Sequence, residues 1–305
     1  MFKNFHYFIR EINKLFKVHQ LKKKYMVEHL IPRGWQLHHQ EHLYVRANTG
    51  APIIRLKFFH YPSYRQTVKI IQSPKDCTLK TKGNNMYFLF QKKVRTRHAI
   101  SLERIIEVFP MPYSFKKNKD WGMISEINSE IKQKYKQSSY YWPVQSTQLQ
   151  KITKEKWFTD DNLFNWVKEI NFYLIKTIKH PEMQEKRLGA DQAFLIGKGD
   201  CDEFIDLFIT LARMRGIPCR RLTGYFIRNV KAEPEPHAWG EILSPTLGWI
   251  PIDIALHNIG NHTINYVILK IEEFNPALPD YSIIKPSASV QYNWERPVPL
   301  VTPIY

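Results

Sequence analysis

The residue best placed to do chemistry is Cys201, because of the segment that leads into it. Residues 197–201 read Gly-Lys-Gly-Asp-Cys, and apolar residues at helical spacing follow them. This pattern places Cys201 in the first turn of a helix, where backbone N–H groups lack intrahelical partners and the helix dipole favours negative charge. A thiolate, the nucleophilic form of cysteine, is stabilised there. The acidic neighbours Asp200, Asp202 and Glu203 oppose ionisation, so a catalytic role requires a base elsewhere in the chain.

A predicted β-hairpin supplies both a base and a carboxylate. Two apolar runs, beginning at His237 and ending at Ile254, flank the turn-like residues 244–248. With a turn centred on Pro245, His237 lies directly opposite Asp253, with the two Cβ atoms roughly 5 Å apart. A loop one pair longer would make them diagonal neighbours on one face, and a slip of one residue would separate them. The predicted geometry suits a carboxylate that orients an imidazole.

Several further motifs stand in order around these three residues. After the Gly-Lys-Gly-Asp-Cys segment come Gly-Ile-Pro at 216–218, Thr-Gly-Tyr at 223–225, His-Ala-Trp at 237–239 and Gly-Trp-Ile-Pro-Ile-Asp at 248–253. The set resembles the transglutaminase-like superfamily, and it is most similar to the bacterial and archaeal branch classed with cysteine proteases. The similarity runs from about residue 190 to residue 254. Where the family commonly has proline after the aspartate, this chain has Ile254.

The resemblance implies a fold and a chemistry. The implied fold is α+β, with a papain-like transglutaminase core preceded by a β-rich, sandwich-like N-terminal domain. Cys201 is then the nucleophile, His237 the general base and acid, and Asp253 the orienting group. The acyl-enzyme formed from an amide of a protein or peptide passes to water, as in a peptidase or amide hydrolase, or to an amine, as in a crosslinking transglutaminase. Hydrolysis is the favoured interpretation, and a binding module without turnover stays open as a third.

The groups that stabilise the oxyanion are only partly assigned. The backbone N–H of Cys201 is a natural donor at the start of its helix. Trp142 and the adjacent tyrosines are candidates for a side-chain donor, but packing is the favoured role for each. No cofactor is expected. His38, His39 and His42 lie close together in sequence, but no cysteine or carboxylate stands at zinc-ligand spacing, so no metal site is predicted.

Length and patterning divide the chain of 305 residues into five segments. We expect a basic amphipathic helix at 1–30, a β-rich domain at 31–115, a linker at 116–124, the transglutaminase-like domain at 125–275 and a proline-rich tail at 276–305. The tail has little periodicity and is expected to drape over the surface or to be partly mobile. Within the fourth segment, Asp160 to Lys179 is predicted to be a helix, with Leu163, Trp166, Val167, Ile170 and Leu174 on its buried face.

Charge and cysteine usage bear on partners and compartment. The formal net charge is +17, and residues 55–136 hold 18 Lys or Arg against 6 Asp or Glu. Such clusters attract nucleic acid or anionic membranes, but no nucleic-acid motif accompanies this one, so a solvated basic face is the favoured interpretation. The three cysteines form no disulfide pattern, and no apolar run has transmembrane length, which together predict a cytoplasmic protein. The sequence does not predict the oligomeric state.

Overall fold

The structure is a computed structural model that describes residues 32–63, 65–110, 115, 120–179, 186–229, 231–261, 265–274, 281–283 and 290–305. The helix predicted at 1–30 and residues 116–119 of the predicted linker lie outside these residues. In the described part of the chain, no helix is both long enough and apolar enough to cross a bilayer.

The N-terminal part of the chain is built from strands, as the alternating sequence predicts. They are β1 (Gly34–Ala47), β2 (Ile53–His60), β3 (Gln66–Gln72), β4 (Cys77–Lys82), β5 (Asn85–Lys93) and β6 (His98–Val108). Two sheets result, one ordered β1–β6–β3 and one ordered β2–β5–β4. Apolar residues alternate onto the facing sides of the two sheets, so the sheets form a sandwich. Its core contains Leu43, Val45, Ile54, Leu56, Phe58, Phe90, Ile100 and Leu102.

One stretch of the inner face of the sandwich carries charge instead of apolar side chains. His39, Glu41 and Arg104 occupy inward positions of β1 and β6 and are buried. Arg104 pairs with Glu41 at 2.7 Å and donates to the Phe59 carbonyl oxygen at 2.5 Å. A buried charge needs this complete set of partners to offset its desolvation. At this cluster, therefore, the apolar packing between the two sheets of the sandwich ends.

The C-terminal tail returns to the sandwich as three strands. These are β12 (Tyr281–Ile283), β13 (Val290–Glu295) and β14 (Leu300–Ile304). β12 pairs with β2, whereas β13 and β14 pair with successive halves of β1. The segments β13 and β14 lie at the surface, but they pair as strands, which the lack of periodicity did not predict. The edge of β1 offers unpaired backbone groups along fourteen residues, and pairing with the tail satisfies them without a regular apolar pattern in the tail itself.

The remaining residues form a layer of helices against a second sheet. The helices are α1 (Ser129–Tyr135), α2 (Leu163–Thr177), α3 (Ala190–Ile196) and α4 (Cys201–Met214). Short 3₁₀ helices occupy Ile124–Glu126, Leu149–Lys154 and Lys156–Thr159. The sheet contains β7 (Cys219–Phe226), β8 (Glu235–Ser244), β9 (Gly248–Asp253), β10 (Asn258–Ile259) and β11 (Tyr266–Glu272), in the order β10–β9–β8–β7–β11. α2 buries the five residues predicted for its inner face.

The sandwich meets this sheet along the edge strand β11, through two amide side chains. Gln66 accepts from the Ile268 N–H at 2.9 Å and donates to the Ile268 carbonyl oxygen at 2.6 Å. Asn85 makes the same pair of bonds to Ile271, at 2.8 and 2.6 Å. Each amide reproduces the donor and acceptor that a neighbouring strand would offer. The exposed edge of β11 is thereby closed by side chains from the sandwich.

Candidate active site

Cys201 is the first residue of α4, as the sequence predicts. Asp200 precedes it as the N-cap, accepting from the Asp202 N–H, and Glu203 returns a bond to the Asp200 N–H at 3.1 Å. This capping box fixes the direction in which the helix begins. The N–H of Cys201 belongs to the first turn and so has no intrahelical acceptor. Gly199 is needed in the approach, because a Cβ there would lie 2.3 Å from the Cβ of Glu203.

The acidic neighbours of Cys201 are partly neutralised by their surroundings. Asp202 pairs with Arg221, which also pairs with Glu272 at 2.8 Å. Glu203 is fully buried, and this burial raises its pKa to about 7 even though the backbone N–H groups of Leu188 and Asp200 favour its charged form. Part of the negative charge that the sequence places around the thiol is therefore paired or protonated at neutral pH.

His237 and Asp253 are in contact, although the hairpin register differs from the predicted one. His237 Nε2 lies 2.7 Å from Asp253 Oδ2. The ladder pairs Ser244 with Gly248 and Gly240 with Ile252, so the turn is centred on Thr246 and not on Pro245. Continued by one step, this register places Asp253 opposite Trp239 and makes His237 its diagonal neighbour. The predicted direct pairing is therefore wrong, while the side chains share a face because the shift preserves parity.

The thiol of Cys201 completes the chain of contacts. Cys201 lines the same cleft as His237 and favours the charged form of its ring, and with Nε2 engaged by Asp253 the ring nitrogen left for sulfur is Nδ1. Burial opposes the charged imidazole, but the hydrogen bonds to Asp253 and Cys201 outweigh it and raise the pKa of His237 to about 10. The site therefore favours an imidazolium over the ordinary neutral ring at physiological pH. A positive charge beside sulfur is the condition that stabilises a thiolate.

Two further residues support the carboxylate, and the sequence reasoning missed both in this role. The Tyr266 hydroxyl donates to Asp253 Oδ2 at 2.8 Å, and Asn258 donates to the Tyr266 oxygen at 3.1 Å. Trp239 stacks on the His237 ring with 5.9 Å between centroids and 15° between planes. The only sequence signal was the apolar strand around Tyr266, which gives no hint of a hydrogen bond to a residue on another strand.

Trp142 is not an oxyanion donor in this structure. Its side chain is fully buried, and its indole N–H donates to Asp206 Oδ1 at 2.7 Å. Arg187 holds the same carboxylate with two further bonds, at 2.5 and 2.7 Å. Asp206 thus accepts from both side chains beneath α4, although burial raises its pKa. Trp142 therefore has the buried position that the favoured packing role implies.

A cleft of about 440 Å³ opens beside Cys201 and His237. Its floor includes Thr223, Gly224 and Tyr225 of β7. Its far wall belongs to the sandwich and the tail, through His39, Glu41, Lys57, Phe59, Arg296 and Val298. The charged cluster inside the sandwich therefore faces this cleft, and His39 Nε2 lies 3.0 Å from the Tyr225 hydroxyl. Chain segments distant in sequence thus build a single site.

The clustered histidines of β1 take separate roles. Strand alternation sends His38 and His42 to the outer face, where they contact Glu103 and Ser101. His39 points inward, and burial together with Arg104 lowers its pKa to about 2, so the ring stays neutral. Within the described ranges, no three His, Cys, Asp or Glu side chains gather in a way that could hold a metal ion.

Comparison with known proteins agrees with this arrangement of helix and strands. Residues 146–254 match the model of the transglutaminase-like superfamily, a stretch that contains all three residues of the predicted triad. The structure is similar to the crystal structure of a "putative cysteine protease" from Cytophaga hutchinsonii, with a TM-score of 0.54 and 14% sequence identity. The similarity covers 89% of this chain and 96% of that one. The search of curated proteins found no significant match. Residues 146–254 of this chain are a transglutaminase-like domain.

Proposed function

We propose that this protein is a cysteine peptidase or amide hydrolase that acts on proteins or peptides through a thioester acyl-enzyme. The observation that carries the proposal is that Cys201 and His237 line one open cleft while His237 Nε2 lies 2.7 Å from Asp253 Oδ2. The transglutaminase-like domain and the cysteine-protease description of the structural neighbour support a cysteine enzyme.

The geometry is suited to a two-step reaction. In acylation the Cys201 thiolate attacks the amide carbonyl carbon, and the imidazolium of His237 gives its proton to the departing amine as the C–N bond breaks. The Cys201 N–H at the start of α4 is placed to stabilise the oxyanion of the tetrahedral intermediate. In deacylation a water loses a proton to His237 and attacks the thioester. The acid is released and the ion pair is restored, with Asp253 orienting the ring throughout.

The polar lining of the cleft favours water over an amine as the acceptor. Charged side chains surround the thiol, among them Asp200, Asp202, Arg221 and Lys270. Such groups retain ordered water around the acyl-enzyme, whereas selective transfer to an amine requires that water be excluded. The crosslinking reaction shares the acyl-enzyme and differs only in this last step.

The first test is the rate at which iodoacetamide labels Cys201 as a function of pH, read by mass spectrometry. We expect fast labelling to persist below pH 7 in the wild type, because the thiolate is the form that reacts and a charged His237 beside it stabilises that form. In His237→Ala the labelling should slow and follow the pH dependence of an ordinary thiol. A wild-type profile indistinguishable from the variant would overturn the proposed role of His237.

The second test measures turnover of fluorescein-labelled casein with and without a primary amine, using Cys201→Ala as the inactive control. Release of small fragments that is insensitive to the amine supports a peptidase. Incorporation of amine that outpaces hydrolysis would replace the hydrolase proposal with the crosslinking one. Absence of both reactions in a protein whose Cys201 labels rapidly would place its amide substrate outside unmodified polypeptides.

A further inference from the structure

The four-stranded sheet of the sandwich has an outer face without acidic residues. The strands β2, β4 and β5 read IIRLKFFH, CTLKTK and NMYFLFQKK, and none contains Asp or Glu. Phe88 and Phe90 of β5 pack into the core, and they stand opposite Leu79 and Cys77 of β4. Strand alternation therefore assigns five of the six Lys and Arg side chains of these strands to the opposite face, and the sixth, Lys92, pairs with Asp76. The five are Arg55, Lys57, Lys80, Lys82 and Lys93.

The other sheet of the sandwich does not share this excess of positive over negative side chains on its outer face. Its outer face carries Glu103 and Glu107 on β6, which contact His38 and Gln36 of β1. The cations there are balanced by carboxylates, as on an ordinary soluble face. The outer face of β2, β4 and β5 instead presents positive charge of one sign over three adjacent strands, and we call it the basic face below.

The basic face runs into the active-site cleft. Lys57 lies on it, with its ammonium nitrogen 5.9 Å from the centroid of the Tyr87 ring on the neighbouring strand, and Lys57 also lines the cleft with Phe59. Lys270 of β11 stands on the other side of this junction, 4.9 Å from the Phe59 ring centroid. A chain whose acyl group reaches Cys201 can therefore leave the cleft past Lys57 and continue over the basic face.

We propose that the basic face binds the acidic flank of the polypeptide whose amide reacts at Cys201. The proposal rests on the proposed function and names its substrate class, a protein or peptide rich in Asp and Glu beside the scissile group. Clustered cations beside a cleft raise the local concentration of an anionic substrate, and the effect weakens with salt. A polypeptide is favoured over nucleic acid or a membrane because the face continues into a site suited to amide chemistry.

Binding is tested in the full chain carrying Cys201→Ala, so that the result does not depend on turnover. The probes are a fluorescein-labelled glutamate-rich peptide and the same peptide with glutamine replacing glutamate, compared by anisotropy at low and high salt. We expect the acidic peptide to bind at least about 10-fold more tightly, with a difference that shrinks as salt rises. Equal affinities for the two peptides would overturn the proposal while leaving the amide chemistry untouched.

Location is tested by charge reversal. Arg55→Glu, Lys80→Glu and Lys93→Glu together should weaken binding of the acidic peptide about 10-fold or more. The matched control, Lys69→Glu, Lys151→Glu and Lys168→Glu, makes the same change in net charge at exposed positions elsewhere. If both triple variants weaken binding equally, the effect is one of net charge and the basic face is not the site. The milder pair Lys80→Gln and Lys93→Gln serves if charge reversal prevents folding.

A separate measurement tests whether the basic face is continuous with the cleft. In the wild type, a saturating amount of the acidic peptide should slow iodoacetamide labelling of Cys201, whereas the glutamine peptide should not. Unchanged labelling would separate the face from the catalytic site and overturn the proposal. The proposal would also be overturned if the protein bound single-stranded DNA or phosphatidylserine vesicles more tightly than the acidic peptide and lost that binding in the Arg55→Glu, Lys80→Glu, Lys93→Glu variant. The basic face would then be a binding surface for that partner.

Discussion

At the scale of single residues, we expect the reactivity of Cys201 to depend on the carboxylate charge behind His237. Asp253 is the group that both orients the ring and favours its protonated form. We expect Asp253→Asn to keep the contact but remove the charge, lowering kcat by roughly 10²-fold or more. The labelling profile of Cys201 should move toward that of an ordinary thiol in the same variant. Unaltered labelling in a folded Asp253→Asn protein would show that the carboxylate charge is not needed.

Tyr266 allows a second test of how the Asp253 carboxylate is held against His237. Its hydroxyl donates to the carboxylate oxygen that also contacts His237, so Tyr266→Phe removes one bond and leaves the packing. A hydrogen bond to a charged group contributes about 1.5–3 kcal/mol, so kcat should fall by roughly 10-fold or more. Tyr292→Phe, at an exposed position, is the matched control. Equal rates for Tyr266→Phe and wild type would limit Tyr266 to a packing role.

The raised pKa of His237 predicts a pH dependence of stability. A histidine whose folded pKa is about 10 against an ordinary 6.5 stabilises the folded state fully below pH 6.5, and the contribution is lost as pH rises toward 10. Urea unfolding should therefore show a fall in the free energy of unfolding over this window. In His237→Gln the decline over the same window should be smaller. Parallel pH curves for the two proteins would contradict the ion pair as the source of the effect.

At the scale of elements, the junction between the sandwich and β11 depends on two amides. Asn85→Ala leaves the Ile271 N–H and carbonyl without their partners, and Gln66→Ala does the same at Ile268. Each unsatisfied buried group costs about 1–3 kcal/mol, so either variant should lower the free energy of unfolding measurably in urea. Asn84→Ala is the neighbouring control, because its bond to Glu273 is exposed and its loss should change stability by about 0.5 kcal/mol at most. Similar losses for Asn84→Ala and Asn85→Ala would show that the junction does not depend on the amide.

Elements with strong local patterns could be predicted from the sequence. The five apolar residues spaced along α2 are all buried, and Cys201 lies in the first turn of α4 after the glycine-rich entry. The sequence correctly placed His237 and Asp253 on one face of the sheet, although the predicted turn centre was wrong by one residue. Moving the turn centre by one residue shifts the strand pairing by two residues, and side chains two residues apart lie on the same face. The contact of Tyr266 with Asp253 could not be predicted, since it depends on how β11 crosses the sheet and on no local period.

At the scale of the whole molecule, the two ends of the described chain are joined through β1. Its long edge pairs with β13 and β14, and Glu41 at its centre accepts from Trp294 and Arg296 of the tail. Sequence reasoning missed this closure because pairing with an existing edge needs backbone groups and shape, and the tail has no strong alternation of its own. The cleft also depends on the C-terminal tail, since Arg296 and Val298 line it.

Removal of residues 290–305 should therefore act on the sandwich before it acts on the arrangement of Cys201, His237 and Asp253. The deletion turns β1 into an exposed edge and strips two donors from buried Glu41, so we expect a lower thermal midpoint and concentration-dependent association by size-exclusion chromatography. Cys201 should still label rapidly below the midpoint, because α4, β8 and β9 keep their contacts with one another. Tyr292→Ser, which preserves the backbone pairing of β13, is the control and should stay monodisperse to the same degree as the wild type. A truncated protein as stable as the wild type, with no association, would show that the tail strands contribute little to closing the edge of β1.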